Sequence, residues 1–84
     1  MNALTQVQQG HATFTGTIKD DVQVQDMYIM VNGKKTVYHA FDDKKKTENF
    51  NLSVPLKKGK NEIIVVARDD QDLVQTVQLN LFSQ

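Results

Sequence analysis

The chain has no cysteine, no tryptophan and a single proline in 84 residues. Without cysteine there is no disulfide framework, no thiol chemistry and no cysteine-ligated zinc. The same absence fits a cytosol and a periplasm equally well. An excess of charge is also missing, since ten Lys and Arg balance ten Asp and Glu. That argues against a dedicated nucleic-acid binder, whose affinity would rest on a basic surplus. No run approaches the 18 or so consecutive apolar residues that a membrane span requires. Met1-Asn2-Ala3-Leu4 lacks the basic start and apolar stretch of a signal peptide. If the protein is exported, that signal lies outside this stretch. The four glycines (Gly10, Gly16, Gly33 and Gly59) are isolated, so no phosphate-cradling loop is present. Helical periodicity never exceeds one turn, and no internal repeat appears.

What is present is alternation with period two. Ala12, Phe14, Gly16 and Ile18 alternate with Thr13, Thr15 and Thr17, which reads as a half-buried strand with a threonine face. Val24 to Val31 is the next strand. Asn32-Gly33 after it is the strongest hairpin signal in the chain, because both residues tolerate positive φ. A strand over Lys34–Phe41 follows, then a polar loop, Asp42-Asp43-Lys44-Lys45-Lys46. Phe50, Leu52, Val54 and Leu56 alternate with Asn49, Asn51 and Ser53, and Pro55 sits near the strand end, where a missing N–H costs least. Residues 57–61 read as a turn, Ile63–Ala67 as a continuous apolar strand, and Val77, Leu79 and Leu81 mark the last strand. Leu4–Gln8 is a weaker first strand. Seven short strands with turn signals between them predict an all-β fold, a small seven-stranded antiparallel immunoglobulin-like β-sandwich. The expected layout is a first strand or linker over 1–10, one domain over 11–82 and a tail at 83–84. The expected core is Phe14, Ile18, Ile29, Val31, Phe50, Leu52, Val54, Ile63, Val65, Val77 and Leu79.

One set of motifs carries a resemblance. Asp21, Val24, Asp26, Tyr28, Ile29 and Val31 precede Lys35, Val37 and Tyr38; then come Phe50, Val54-Pro55-Leu56, Gly59, Asn61, Ile63, Val65 and Ala67-Arg68. The second half resembles the bacterial immunoglobulin-like and fibronectin-type-III-like pattern in which Leu-x-x-Gly-x-Asn leads into Ile-x-Val-x-Ala. The Asn side chain of such a turn can hydrogen-bond backbone. Together with Asp-x-Tyr-Ile-x-Val and Val-Pro-Leu, the pattern is similar to the C-terminal domain of bacterial tail-specific (carboxy-terminal processing) serine peptidases. These are cell-envelope enzymes with a PDZ domain and a Ser/Lys catalytic domain. The resemblance spans roughly residues 12–82. It implies a non-catalytic accessory domain, periplasmic or at the cell envelope, that docks, positions or regulates a catalytic part outside this sequence. The Cys pair, core Trp and corner Tyr of antibody-type domains are all missing.

No chemistry of the chain's own is expected. Its only serines are Ser53 and Ser83 and its only histidines His11 and His39. Neither serine lies on a Gly-x-Ser-x-Gly elbow. His39 alternates with Val37 and Phe41, as a partly buried strand histidine would, and His11 reads as a loop or strand-edge residue. No cofactor is expected.

Threading the strands up and down sorts the charges by end. Asp20, Asp21, Asp42, Asp43, Glu48, Asp69, Asp70 and Asp72 fall at one end with Lys44-Lys45-Lys46; Lys34, Lys35, Lys57, Lys58 and Lys60 fall at the other with Glu62. Such loops ordinarily serve solubility. A sharper reading makes Asp20, Asp21, Asp69, Asp70 and Asp72 calcium-ligand candidates, although no EF-hand spacing supports it. The lysine end fits a weak contact with anionic headgroups or polysaccharide; no aromatic interleaves it for base stacking.

The sheet faces differ. If Ile29, Val31, Ile63, Val65 and Ala67 point to the core, then Tyr28, Met30, Ile64 and Val66 point outward on neighbouring strands. Tyr38 extends the set. Such a patch is either ordinary central-strand composition or an interface, with other domains of the parent chain or a second copy as partner. The alternative function is an immunoglobulin-like adhesion or carbohydrate-binding module of another secreted protein; only Tyr28 and Tyr38 are available as tyrosines to stack on sugars.

Overall fold

The structure, a computed structural model, describes residues 1–43 and 45–84. Lys44, in the loop expected at the acidic end, lies outside the described residues. Seven strands follow one another: β1 (Asn2–Gln8), β2 (His11–Lys19), β3 (Val24–Val31), β4 (Lys34–Ala40), β5 (Thr47–Pro55), β6 (Gly59–Asp69) and β7 (Val74–Ser83). They form two antiparallel sheets, β1-β2-β5 and β4-β3-β6-β7. The chain is thus an all-β, seven-stranded antiparallel β-sandwich. In the constant-type immunoglobulin arrangement the fourth strand joins the first sheet; here β4 stays beside β3.

Alternation explains the core. Ala12, Phe14 and Ile18 of β2 and Phe50 and Val54 of β5 meet Met27 and Ile29 of β3 and Ile63, Val65 and Ala67 of β6. The remaining residues of the expected core, Val31, Leu52, Val77 and Leu79, are only half-buried. Leu52, Val77 and Leu79 lie on edge strands, and Val31 ends β3, so each lacks a neighbour on one side. Val24 joins the core because the register between β3 and β6 slips between Val24 and Asp26, reversing the parity of the strand's first residue. Gly16, paired with Ala3 and Phe50, is fixed by close approach: a Cβ there would lie 1.8 Å from the Asn2 carbonyl oxygen and 2.9 Å from Phe50 Cζ.

The β3–β4 hairpin turns on Asn32 (φ 54°) and Gly33 (φ 81°), the two positive values of a type I′ turn. The expected turn over residues 57–61 is shorter, because β6 already begins at Gly59. Asn61 makes this possible. Its buried side-chain oxygen accepts from the Lys57 N–H and from Asn32 Nδ2, and its Nδ2 donates to the Lys57 and Gly59 carbonyls. Asn32 Oδ1 in turn accepts from the Glu62 N–H. One amide side chain therefore closes the β5–β6 turn and ties it to the β3–β4 turn.

The antiparallel path places the β2–β3, β4–β5 and β6–β7 loops at one end, joined by backbone hydrogen bonds from Asp20 to Lys46, Val24 to Lys45 and Asp70 to Gln23. The remaining turns share the other end, where Leu56 bonds to Gly10 and Asn32 to Glu62. Acidic and lysine-rich loops are thereby brought to opposite ends.

Candidate functional site

The outer face of the four-stranded sheet follows from register alone. Side chains lie in rows across β4, β3, β6 and β7: Ala40, Asp26, Arg68 and Val74; then Tyr38, Tyr28, Val66 and Thr76; then Lys35, Met30, Ile64 and Gln78. Tyr28, Met30, Tyr38, Ile64 and Val66 thus come together on one face, as the alternation predicts. They are not equally exposed. Val66, between Tyr28 and Thr76, keeps only 7% of its surface, while Tyr28, Met30 and Ile64 are half-buried and Tyr38 is 53% exposed. β3 and β6 are central strands, so long side chains on both sides shield them. Lys35 Nζ lies 4.4 Å from the Tyr28 ring centroid and 6.0 Å from that of Tyr38, a cation–π cap on the rim.

Beside this patch sits a polar cluster that alternation does not announce. Asp26 is fully buried although it points to the outer face. Arg68 grips its carboxylate at two points, Nε to Oδ1 at 2.8 Å and a second nitrogen to Oδ2 at 2.5 Å. The Tyr38 hydroxyl donates to the same Oδ2 at 2.7 Å. The Arg68 hydrogen bonds hold the Asp26 carboxyl below its ordinary value, and Tyr38 and Lys35 add to this against the desolvation of burial. The bond to Asp26 pushes the Tyr38 phenol up. Asp26, Tyr38 and Arg68 all belong to the motif set quoted above; what the sequence hides is that three distant positions form one unit.

The acidic end is organised by turns. Asp69 Oδ1 accepts from the Gln71 and Leu73 N–H groups, and Asp20 Oδ1 accepts from the Val22 N–H while Oδ2 accepts from Gln75 Nε2. The Val22 bond draws the Asp20 carboxyl down. Asp21, Asp70 and Asp72 are exposed. Among the described residues, no group of three His, Asp or Glu side chains is arranged to hold a metal ion. At the same end Glu48 keeps only 7% of its surface, in register with Ile18, and its Oε2 has no hydrogen-bond partner among the described residues. Desolvation, followed by the neighbouring Asp43 carboxyl, pushes the Glu48 carboxyl up, while Asp43 is drawn down by its interaction with Glu48. The two share a groove of about 320 Å³ with His39 and Phe41.

His39 differs from expectation. It is exposed, because β4 is an edge strand, and its ring packs edge-on to Phe41 at 4.8 Å. Ser53 shares a hydrogen bond with Thr13 on the outer face of the three-stranded sheet. Ser83 is buried and accepts from the Gly10 N–H.

No family model, no curated protein and no solved structure matches the chain.

Proposed function

We propose that this chain is a non-catalytic accessory domain of a bacterial cell-envelope serine peptidase of the tail-specific kind. It docks on another part of that protein through the outer face of β4-β3-β6-β7. One observation carries the docking role: register gathers Tyr28, Met30, Ile64, Val66 and Tyr38 on one face, rimmed by Lys35 and the Asp26–Arg68 pair. An apolar centre with a charged rim is the anatomy of a domain interface. The peptidase context rests on the motif resemblance. In its favour, the motif residues Asp26, Tyr38 and Arg68 form one cluster, and Gly59 and Asn61 form another. The non-catalytic role is supported by the serines, whose hydroxyls bond to Thr13 and to the Gly10 N–H, and neither is hydrogen-bonded to a histidine among the described residues. The adhesion or sugar-binding alternative has less support, because Lys35 covers the Tyr28 ring that a sugar would stack on.

Two measurements test this reading. The natural reading frame upstream of residue 1 is expected to encode a PDZ region and a Ser/Lys peptidase region, and their absence sinks the peptidase context. In that full-length protein, Met30→Lys and Ile64→Lys are expected to expose the outer face to hydrogen exchange while the sandwich stays folded. If both variants exchange like the wild type, the face is not a docking surface.

A further inference from the structure

Among the described residues, the two sheets have four edges: β1 and β5 in one, β4 and β7 in the other. An open edge invites pairing with another chain, and charge, proline and bulges discourage it. β4 carries Lys34 and Lys35 and a register shift opposite Ile29 and Met30. β5 contains Glu48 and ends on Pro55. β7 has no such protection. Its ten residues, Val74–Ser83, include no charge and no proline, and its register with β6 is unbroken from Arg68↔Val74 to Gly59↔Ser83. Neighbouring β1 has no charge either. All twenty charged residues of the chain (ten of each sign) lie off these two strands, so one long side of the sandwich is neutral.

We propose that β7 pairs antiparallel with β7 of a second copy, centred on Gln78, fusing two four-stranded sheets into one of eight strands. The pattern is self-complementary about that centre. On the outer face Val74 meets Phe82 of the other copy, Thr76 meets Asn80, and Gln78 meets itself; on the inner face Val77 meets Leu79 and Gln75 meets Leu81. Val74 and Phe82 are 56% and 74% exposed in the single chain, and each gains an apolar cross-strand partner. No like charges oppose one another in this register. The neutrality of β7 also favours its own copy over a charged peptide, to which it offers no ion pair. The two-fold operation uses each copy's edge once and closes the assembly. The pairing goes beyond the docking face, and either can fail without the other.

The test exploits the lack of cysteine. Sedimentation from micromolar to millimolar protein is expected to show a monomer–dimer equilibrium. Under mild oxidation Gln78→Cys is expected to link two copies, because directly paired antiparallel residues lie about 4.5–5.5 Å apart, within disulfide reach. Thr76→Cys alone is expected to stay unlinked, its counterpart lying about 13 Å away along the strand, but to link when mixed with Asn80→Cys. Gln78→Lys sets two ammonium groups face to face and is expected to weaken the dimer about tenfold or more, with the monomer's fold unchanged. A wild-type chain that stays monomeric at millimolar concentration overturns the proposal. So does Gln78→Cys linking no faster than Asn51→Cys on the opposite sheet, or Thr76→Cys linking by itself.

Discussion

Asp26 and Arg68, forty-two positions apart in sequence, face each other across β3 and β6 and form a two-point ion pair whose carboxylate is wholly buried. Removing one partner leaves the other charge uncompensated, which costs far more than the pair is worth against an apolar replacement. Arg68→Ala is therefore expected to destabilise the fold by about 3 kcal/mol. Replacing both residues, Asp26→Leu with Arg68→Met, is expected to recover most of that loss. Urea unfolding of the single and double variants measures both.

The same pair sets an acid limit. Asp26 is held below its ordinary value of 3.8, so the stability it contributes is complete above that value and lost as pH falls through its lower folded value. Thermal unfolding is expected to steepen below about pH 4 in the wild type. In an Asp26→Asn variant that acid loss is expected to be smaller.

Glu48 acts in the opposite sense. Its carboxyl is raised above 4.5 in the folded protein, so its favourable contribution is present at low pH and lost as pH rises through the folded value. Glu48→Gln keeps the shape of the side chain and removes the buried charge. It is expected to raise Tm by several degrees at pH 7 and by little at pH 4. Equal shifts at both pH values would show that ionisation is not the cause.

Asn61→Ala removes the buried amide that closes the β5–β6 turn and abandons the Lys57 N–H and the Lys57 and Gly59 carbonyls. The expected loss is about 3 kcal/mol, read by chemical denaturation. Hydrogen exchange is expected to quicken first at Lys57 and Glu62, whose N–H groups lose Asn61 directly or through Asn32.

Gly16→Ala pushes a methyl into the Asn2 carbonyl. The expected outcome is a loss of about 1–3 kcal/mol and faster exchange along β1, with the four-stranded sheet unaffected. Uniform loss of protection across both sheets would contradict this local account.

Period-two alternation made the strands legible, including the inward set of β2, β5 and β6 and the outward set Tyr28, Met30, Ile64 and Val66. Alternation is a local signal, and it stops where a neighbour in space decides. The slip at Gln25 comes from pairing with β6, so Val24 reads on the wrong face by simple counting. The burial of Asp26 leaves no mark in the sequence, because its partners, Tyr38 and Arg68, lie on other strands. Edge position is also set by topology, which is why His39 is exposed and Val77 and Leu79 half-buried despite apolar spacing. Asn61 was legible as a turn former from its motif, but its bond to Asn32 was not.

The running directions of β1 and β7 have a mechanical consequence. β1 starts beside Thr17 and β7 finishes beside Gly59, so the two ends of the chain leave from opposite ends of a body 39 Å long. Tension applied between them runs along both strands. It loads the β1–β2 and β6–β7 ladders in shear, where the bonds lie across the pull and share the load. Peeling would break them one at a time. Pulling along the long axis therefore meets more resistance than peeling an edge strand.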